Sequence, residues 1–185
     1  MMHFEDQNLE RALNETASRI GVLPWQLFTV IYSESRWNPK ASNPKSSAKG
    51  LIGFIDSTAK GLGYKSSQDL INKHPSIESQ LRGPVLAYFT KVWKVKPNNL
   101  TDMVGVLFYP KFRNEPNKLL PESVRKVNPG INTLNDYANI MVKNYEAWRK
   151  RNPGMGSSTN TGVSLLSLGL IGYVAYYLTK KWRER

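Results

Sequence analysis

The chain has 185 residues, 40% of them hydrophobic, which suffices for one domain with its own core and an appendage. Its net charge of +12 predicts attraction to polyanions, whether nucleic acid, an anionic membrane or a wall bearing carboxylates and phosphates, and does not choose among them. The absence of cysteine excludes a disulfide framework, a thiol nucleophile and a thiolate metal site. The two histidines, His3 and His74, are too far apart in sequence to suggest a zinc centre or a Ser-His-Asp triad, so no metal and no cofactor is expected.

The first residues, Met1 to Gln7, include acidic side chains and lack an apolar run, so they are not read as a secretory leader. Nearly every later segment shows helical rather than alternating periodicity, and an all-α body is predicted. Leu9, Ala12, Leu13 and Ala17 form one apolar stripe, and Gly21 is placed to end that helix in a left-handed cap. Pro24 opens a second helix running to about Ser35, apolar enough to lie in the core. From Asn38 to Gly50 the Pro, Ser, Asn and Lys content predicts a loop, followed by an apolar run from Leu51 to Ile55. Asp56 is expected to N-cap a small helix ending near Gly61 to Gly63, and Ser66 or Ser67 to cap another, while His74 before Pro75 reads as a turn residue.

Ile77, Leu81, Val85, Tyr88, Phe89 and Val92 predict a longer helix interrupted at Pro84. A further helix is expected from Thr101 to about Tyr109, then irregular basic chain from Pro110 to Pro129. Thr133 with Asp136 forms a capping signal for a last helix reaching about Arg149. The folded domain is therefore expected over 1–151, with a linker at 152–161. Residues 162–179 carry no charge, and about eighteen such residues reach roughly 27 Å as a helix, close to the hydrocarbon thickness of a bilayer. Tyr173, Tyr176, Tyr177 and Trp182 gather toward the end, followed by the basic tail 180–185, so a single membrane span is predicted.

Glu34 is the candidate for chemistry. Leu27, Val30 and Ile31 precede it by seven, four and three residues, so its carboxyl continues an apolar stripe and should be desolvated. It also sits in the last turn, where the helix dipole disfavours a negative charge. Both effects raise its pKa, as a general acid working on a glycosidic oxygen requires, unless Arg36 pairs with it. Lys45, Lys49, Lys60, Lys65, Lys91, Lys94 and Lys96 are not accompanied by a nucleic-acid motif, so no specific nucleic-acid partner is expected.

The segment Glu34-Ser35-Arg36-Trp37-Asn38-Pro39-Lys40-Ala41 resembles the catalytic motif of soluble-lytic-transglycosylase-like domains, which are related in fold to goose-type lysozyme. Ala48-Lys49-Gly50-Leu51-Ile52-Gly53-Phe54, followed by Ser57-Thr58-Ala59, resembles that family's second motif. Tyr109 falls where the family has a tyrosine that contacts substrate or orients the glutamate. The sequence departs at Gly53, where the family has glutamine, and at Pro110-Lys111-Phe112, which replaces Asn-Ala-Gly.

The resemblance implies a lysozyme-like helical domain with Glu34 as catalytic acid and base, and Asn43, Gly50, Phe54 and Tyr109 at the substrate. It implies cleavage between N-acetylmuramic acid and N-acetylglucosamine with formation of a 1,6-anhydro product. Ordinary glycosidases use a second carboxylate, for which Asp56, Asp69 and Asp102 are the candidates. The expected partners are peptidoglycan glycan strands, a lipid membrane and other virion proteins, because a membrane-containing phage particle reconciles a wall-cleaving domain with a C-terminal span and no leader. The alternative is a non-enzymatic, membrane-anchored wall-binding or assembly protein.

Overall fold

The structure is a computed structural model that describes residues 6–92 and 97–153. Eight α-helices are found there: α1 Gln7–Ile20, α2 Pro24–Ser35, α3 Asp56–Gly61, α4 Ser67–Lys73, α5 Ile77–Gln80, α6 Leu100–Phe108, α7 Glu122–Val127 and α8 Leu134–Arg151. Among the described residues β structure is limited to isolated bridges, Ser42 with Lys49 and Lys49 with Phe54. The all-α expectation holds.

α1 starts at Asp6, whose carboxylate accepts from the backbone N–H groups of Asn8 and Leu9, and ends at Gly21 with φ 94°. That left-handed conformation is the one the sequence assigns to Gly21, since a Cβ would oppose it. α2 is apolar around most of its circumference because it packs against α1, α6 and α8. Leu27, Phe28, Val30 and Ile31 on it are sealed from solvent. α8 begins at Thr133 with the reciprocal cap to Asp136 that the sequence predicts. Its Leu134, Ala138, Met141 and Tyr145 face inward.

Three local expectations are corrected. Asp56 does not cap α3: Ile55 precedes the helix without a side-chain cap, and the Asp56 carboxylate instead accepts from the N–H (2.9 Å) and Oγ (2.8 Å) of Ser67 at the start of α4. Of the kink or break expected at Pro84, no break occurs: the chain widens there into a π-type turn, Leu81–Val85, where the proline supplies no N–H, and a second π-type turn, Tyr88–Val92, follows. Residues 110–129 are not wholly irregular; they hold a 3-10 turn, Pro110–Phe112, and α7, which buries no residue and so leaves no periodic trace in the sequence.

Among the described residues no helix is long and apolar enough to cross a membrane. The predicted span at 162–179 and the basic tail lie outside the described residues, as does all but the start of the 152–161 linker.

Candidate active site

α2 carries Glu34 one residue before its end. The chain then leaves the helix through two consecutive left-handed residues, Arg36 (φ 54°) and Trp37 (φ 63°). Such conformations are unfavourable for side chains with a Cβ and persist only where surrounding contacts enforce them. Here the Trp37 ring packs on Phe28 at 5.0 Å, and the Arg36 guanidinium lies over the Tyr32 ring at 4.5 Å. Arg36 is thus engaged with an aromatic face, which leaves Glu34 without the ion pair that would have cancelled its desolvation.

Glu34 is half-buried, and its Oε1 accepts a hydrogen bond from the Tyr137 hydroxyl at 3.0 Å. Burial pushes its carboxyl above the usual carboxylate range, and the bond from Tyr137 partly offsets this by favouring the ionised form. Tyr137 in turn is held well above the ordinary phenol value by burial, by the charge of Glu34 and by the same hydrogen bond. It therefore acts as a donor that stays protonated. Its ring lies 4.8 Å from that of Phe108, the last residue of α6. Three helices thus converge here: α2 supplies the acid, α8 the donor and α6 the surface behind the donor.

Each candidate for a second carboxylate is committed elsewhere. Asp56 bridges to Ser67, and this hydrogen bonding lowers its pKa. Asp69 accepts from the Lys65 N–H at 2.9 Å and pairs with Lys73 at 3.0 Å. Asp102 accepts from the Asn98 N–H at 3.0 Å. Among the described residues no cluster of three or more His, Asp or Glu side chains is placed to hold a metal ion.

The expected substrate residues divide between a loop and a core. The loop after α2 folds back on itself: Asn43 N–H donates to Ala48 O (3.0 Å), Gly50 N–H to Ala41 O (2.9 Å) and Phe54 N–H to Lys49 O (2.8 Å). Asn43 is exposed, and its Oδ1 accepts from the Lys45 N–H. Gly50 is buried with φ 78°, and a Cβ there would meet Gln80 Oε1 at 2.7 Å, so both backbone conformation and space demand glycine.

Phe54, expected beside the sugar, has its side chain in the core, 2% exposed and edge-on to Tyr88. Tyr109 is half-buried at the end of α6, with its ring edge-on to Phe112 at 5.0 Å. The hydroxyl that meets Glu34 belongs to Tyr137, which the sequence reading passed over. Its position three residues after Leu134 and four before Met141, on the inward stripe of α8, was the available signal.

The fold and the site define a class: an all-helical domain in which a core helix carries one desolvated glutamate at its end. Over residues 11–84 the chain matches the family model described as Transglycosylase SLT domain. Among curated proteins, it is 34% identical over 89 residues to Membrane-bound lytic murein transglycosylase F of Yersinia pestis (strain Pestoides F). The protein of the same name from Yersinia pseudotuberculosis serotype I (strain IP32953) matches to the same extent. The aligned region covers 48% of this chain and 16% of each relative, so the chain spans about a sixth of the length of the curated proteins it matches. Tyr137 lies beyond the residues that match the family model.

Proposed function

We propose that the protein is a peptidoglycan lytic transglycosylase in which Glu34 acts alone. The observation that carries this reading is a half-buried carboxyl with a raised pKa, one hydroxyl donor and, among the described residues, no carboxylate partner. In the first step protonated Glu34 donates its proton to the oxygen linking N-acetylmuramic acid to N-acetylglucosamine, and the bond from C1 to that oxygen breaks. In the second step the carboxylate takes the proton of the muramyl 6-hydroxyl, and that oxygen bonds to C1. The proton is returned to Glu34 and no water is consumed. A raised pKa suits both steps, since the group must hold a proton near neutrality and then recover one. Tyr137 fixes the carboxyl rotamer while leaving its second oxygen for the substrate.

The loop from Asn38 to Phe54 is the proposed substrate wall, with Asn43 and the backbone of Gly50 as contacts, and Tyr109 at the opposite side. Phe54 supports this wall from behind. A membrane tether formed by residues 162–179 would hold the enzyme at an envelope, and the relatives it resembles are named as membrane-bound. Those relatives are bacterial, so action from a phage particle rests on the sequence argument alone.

A gel containing purified peptidoglycan tests the reading. Clearing by the wild-type chain that is lost in Glu34→Gln, with both proteins equally folded, is the expected result. An inert wild type would instead favour the wall-binding scaffold suggested by Gly53 and Pro110.

A further inference from the structure

Gln80, the last residue of α5, is fully buried, although it belongs neither to the glutamate helix nor to the loop that follows it. Its amide makes three hydrogen bonds to backbone from three separate segments. Oε1 accepts from the Leu51 N–H at 2.9 Å, and Nε2 donates to Pro39 O at 2.7 Å and to His74 O at 3.0 Å. Pro39 lies five residues beyond Glu34, just after the left-handed exit from α2; Leu51 follows Gly50 at the turn of the loop; His74 ends α4. The surroundings therefore present two carbonyls and one N–H, a pattern that only a carboxamide satisfies completely. A carboxylate would set its lone pairs against two carbonyl oxygens, and an aliphatic side chain would leave all three groups unpaired.

Space tells the same story. The Gln80 carbonyl occupies the volume that a side chain at Gly50 would need, 2.7 Å from an ideal Cβ. The glycine and the glutamine are thus two halves of one contact. A second anchor lies further along the same loop: the one Ser67 hydroxyl proton is shared between Ser47 O (2.6 Å) and the Asp56 carboxylate, and the Asp56 N–H donates to Ser47 Oγ (3.1 Å). That anchor ties the loop to α3 and α4, whereas Gln80 is the side chain that, beside the backbone bond from Gly50 N–H to Ala41 O, joins the chain leaving Glu34 to the Gly50 turn.

We propose that Gln80 is a positioning residue for the transglycosylase reaction, clamping the loop from Pro39 to Leu51 at a fixed distance from Glu34 so that a glycan strand is held against the acid. The assignment rests on the transglycosylase reading above. It makes Gln80 a determinant of substrate binding, and it leaves the acidity of Glu34 to Tyr137 and burial. Gln80 does not itself contact the reacting atoms.

The test uses the full chain and soluble, uncrosslinked glycan-strand fragments, with KM and kcat measured separately for wild type, Gln80→Leu and Gln80→Glu. Gln80→Leu keeps the volume and removes all three bonds, and its KM is expected to rise by about tenfold or more, with the alkaline limb of the pH-rate profile unmoved. Loss of folded molecules would lower apparent kcat and leave KM alone, so a purely structural role gives a different signature. Gln80→Glu supplies the conservative rescue. When protonated it accepts from Leu51 and donates to one carbonyl, so its KM relative to wild type should approach unity as pH falls and climb as pH rises.

Should Gln80→Leu fail to fold, the pH series of Gln80→Glu decides alone. Wild-type KM in both variants, or a Gln80→Glu KM indifferent to pH, overturns the role of Gln80 while leaving the enzyme reading intact. A wild-type chain that turns over none of the fragments overturns the enzyme reading and this assignment with it.

Discussion

Replacing Tyr137 with phenylalanine isolates the hydrogen bond that offsets burial at the proposed acid. The substitution deletes a hydroxyl 3.0 Å from Glu34 Oε1 and keeps the ring that packs 4.8 Å from Phe108, so the helix junction is preserved. Hydrogen bonds to charged groups contribute roughly 1.5–3 kcal/mol, and the half-buried setting argues for the lower end. That bond favours the carboxylate over the acid, so losing about 1.4 kcal/mol shifts the ratio of the two forms about tenfold toward the acid. Burial already raises the Glu34 pKa and the Tyr137 bond lowers it, so removal acts in the same direction as burial. Glycan cleavage followed against pH should therefore show its alkaline limb displaced upward in Tyr137→Phe, with activity surviving on the acid side. An unmoved limb, or one displaced downward in a folded variant, would refute Tyr137 as the group that sets the proton affinity of Glu34.

Further outcomes follow from the same geometry. Glu34→Gln should be more resistant to heat than wild type at neutral pH. The folded state retains a proton that the unfolded chain has released, so wild-type stability declines as pH rises from the ordinary glutamate value through the raised one; the advantage of the neutral variant should vanish below that ordinary value. Melting curves across pH that show no such convergence would contradict a desolvated Glu34. Phe54→Ala should cost about 3–5 kcal/mol in a denaturant titration, because the ring is sealed in the core; a cleft residue would lose activity with little loss of stability. Gly50→Ala should destabilise by about 1–2 kcal/mol from its left-handed backbone alone, with the crowded Gln80 amide adding to it; an unchanged unfolding midpoint would contradict the geometry of that turn. If 162–179 is a tether, the full chain should stay with membranes after alkaline extraction and a chain ending at residue 161 should not.

How far the sequence carried the fold depends on where each side chain spends its hydrogen bonds. The cap at Thr133 and Asp136 and the left-handed Gly21 are local, decided within a few residues, and were readable. Asp56 has the right chemistry and spacing for a cap, but its carboxylate serves Ser67, eleven residues on, a partner that only the folded chain brings close. α7 leaves no legible stripe because none of its residues is fully buried and only Val124 packs partly buried against the core, and buried periodicity is what a sequence displays.

The site follows the same division. Glu34 was legible because its apolar neighbours are three, four and seven residues back on one helix. Tyr137 is 103 residues away and needed the packing of α8 on α2 to reach it. The Phe54 ring could be assigned to core or cleft from its sequence alone, and its burial, edge-on to Tyr88, places it in the core.

The central claim, one carboxyl serving in turn as acid and base without water, is tested most directly by the mass of the released glycan ends. Digestion of purified peptidoglycan by the wild-type chain should yield muramyl ends lighter by one water than hydrolysed ends, none of them carrying oxygen from isotopically labelled solvent. Hydrated, solvent-labelled ends would contradict the account and require a second carboxylate to activate water.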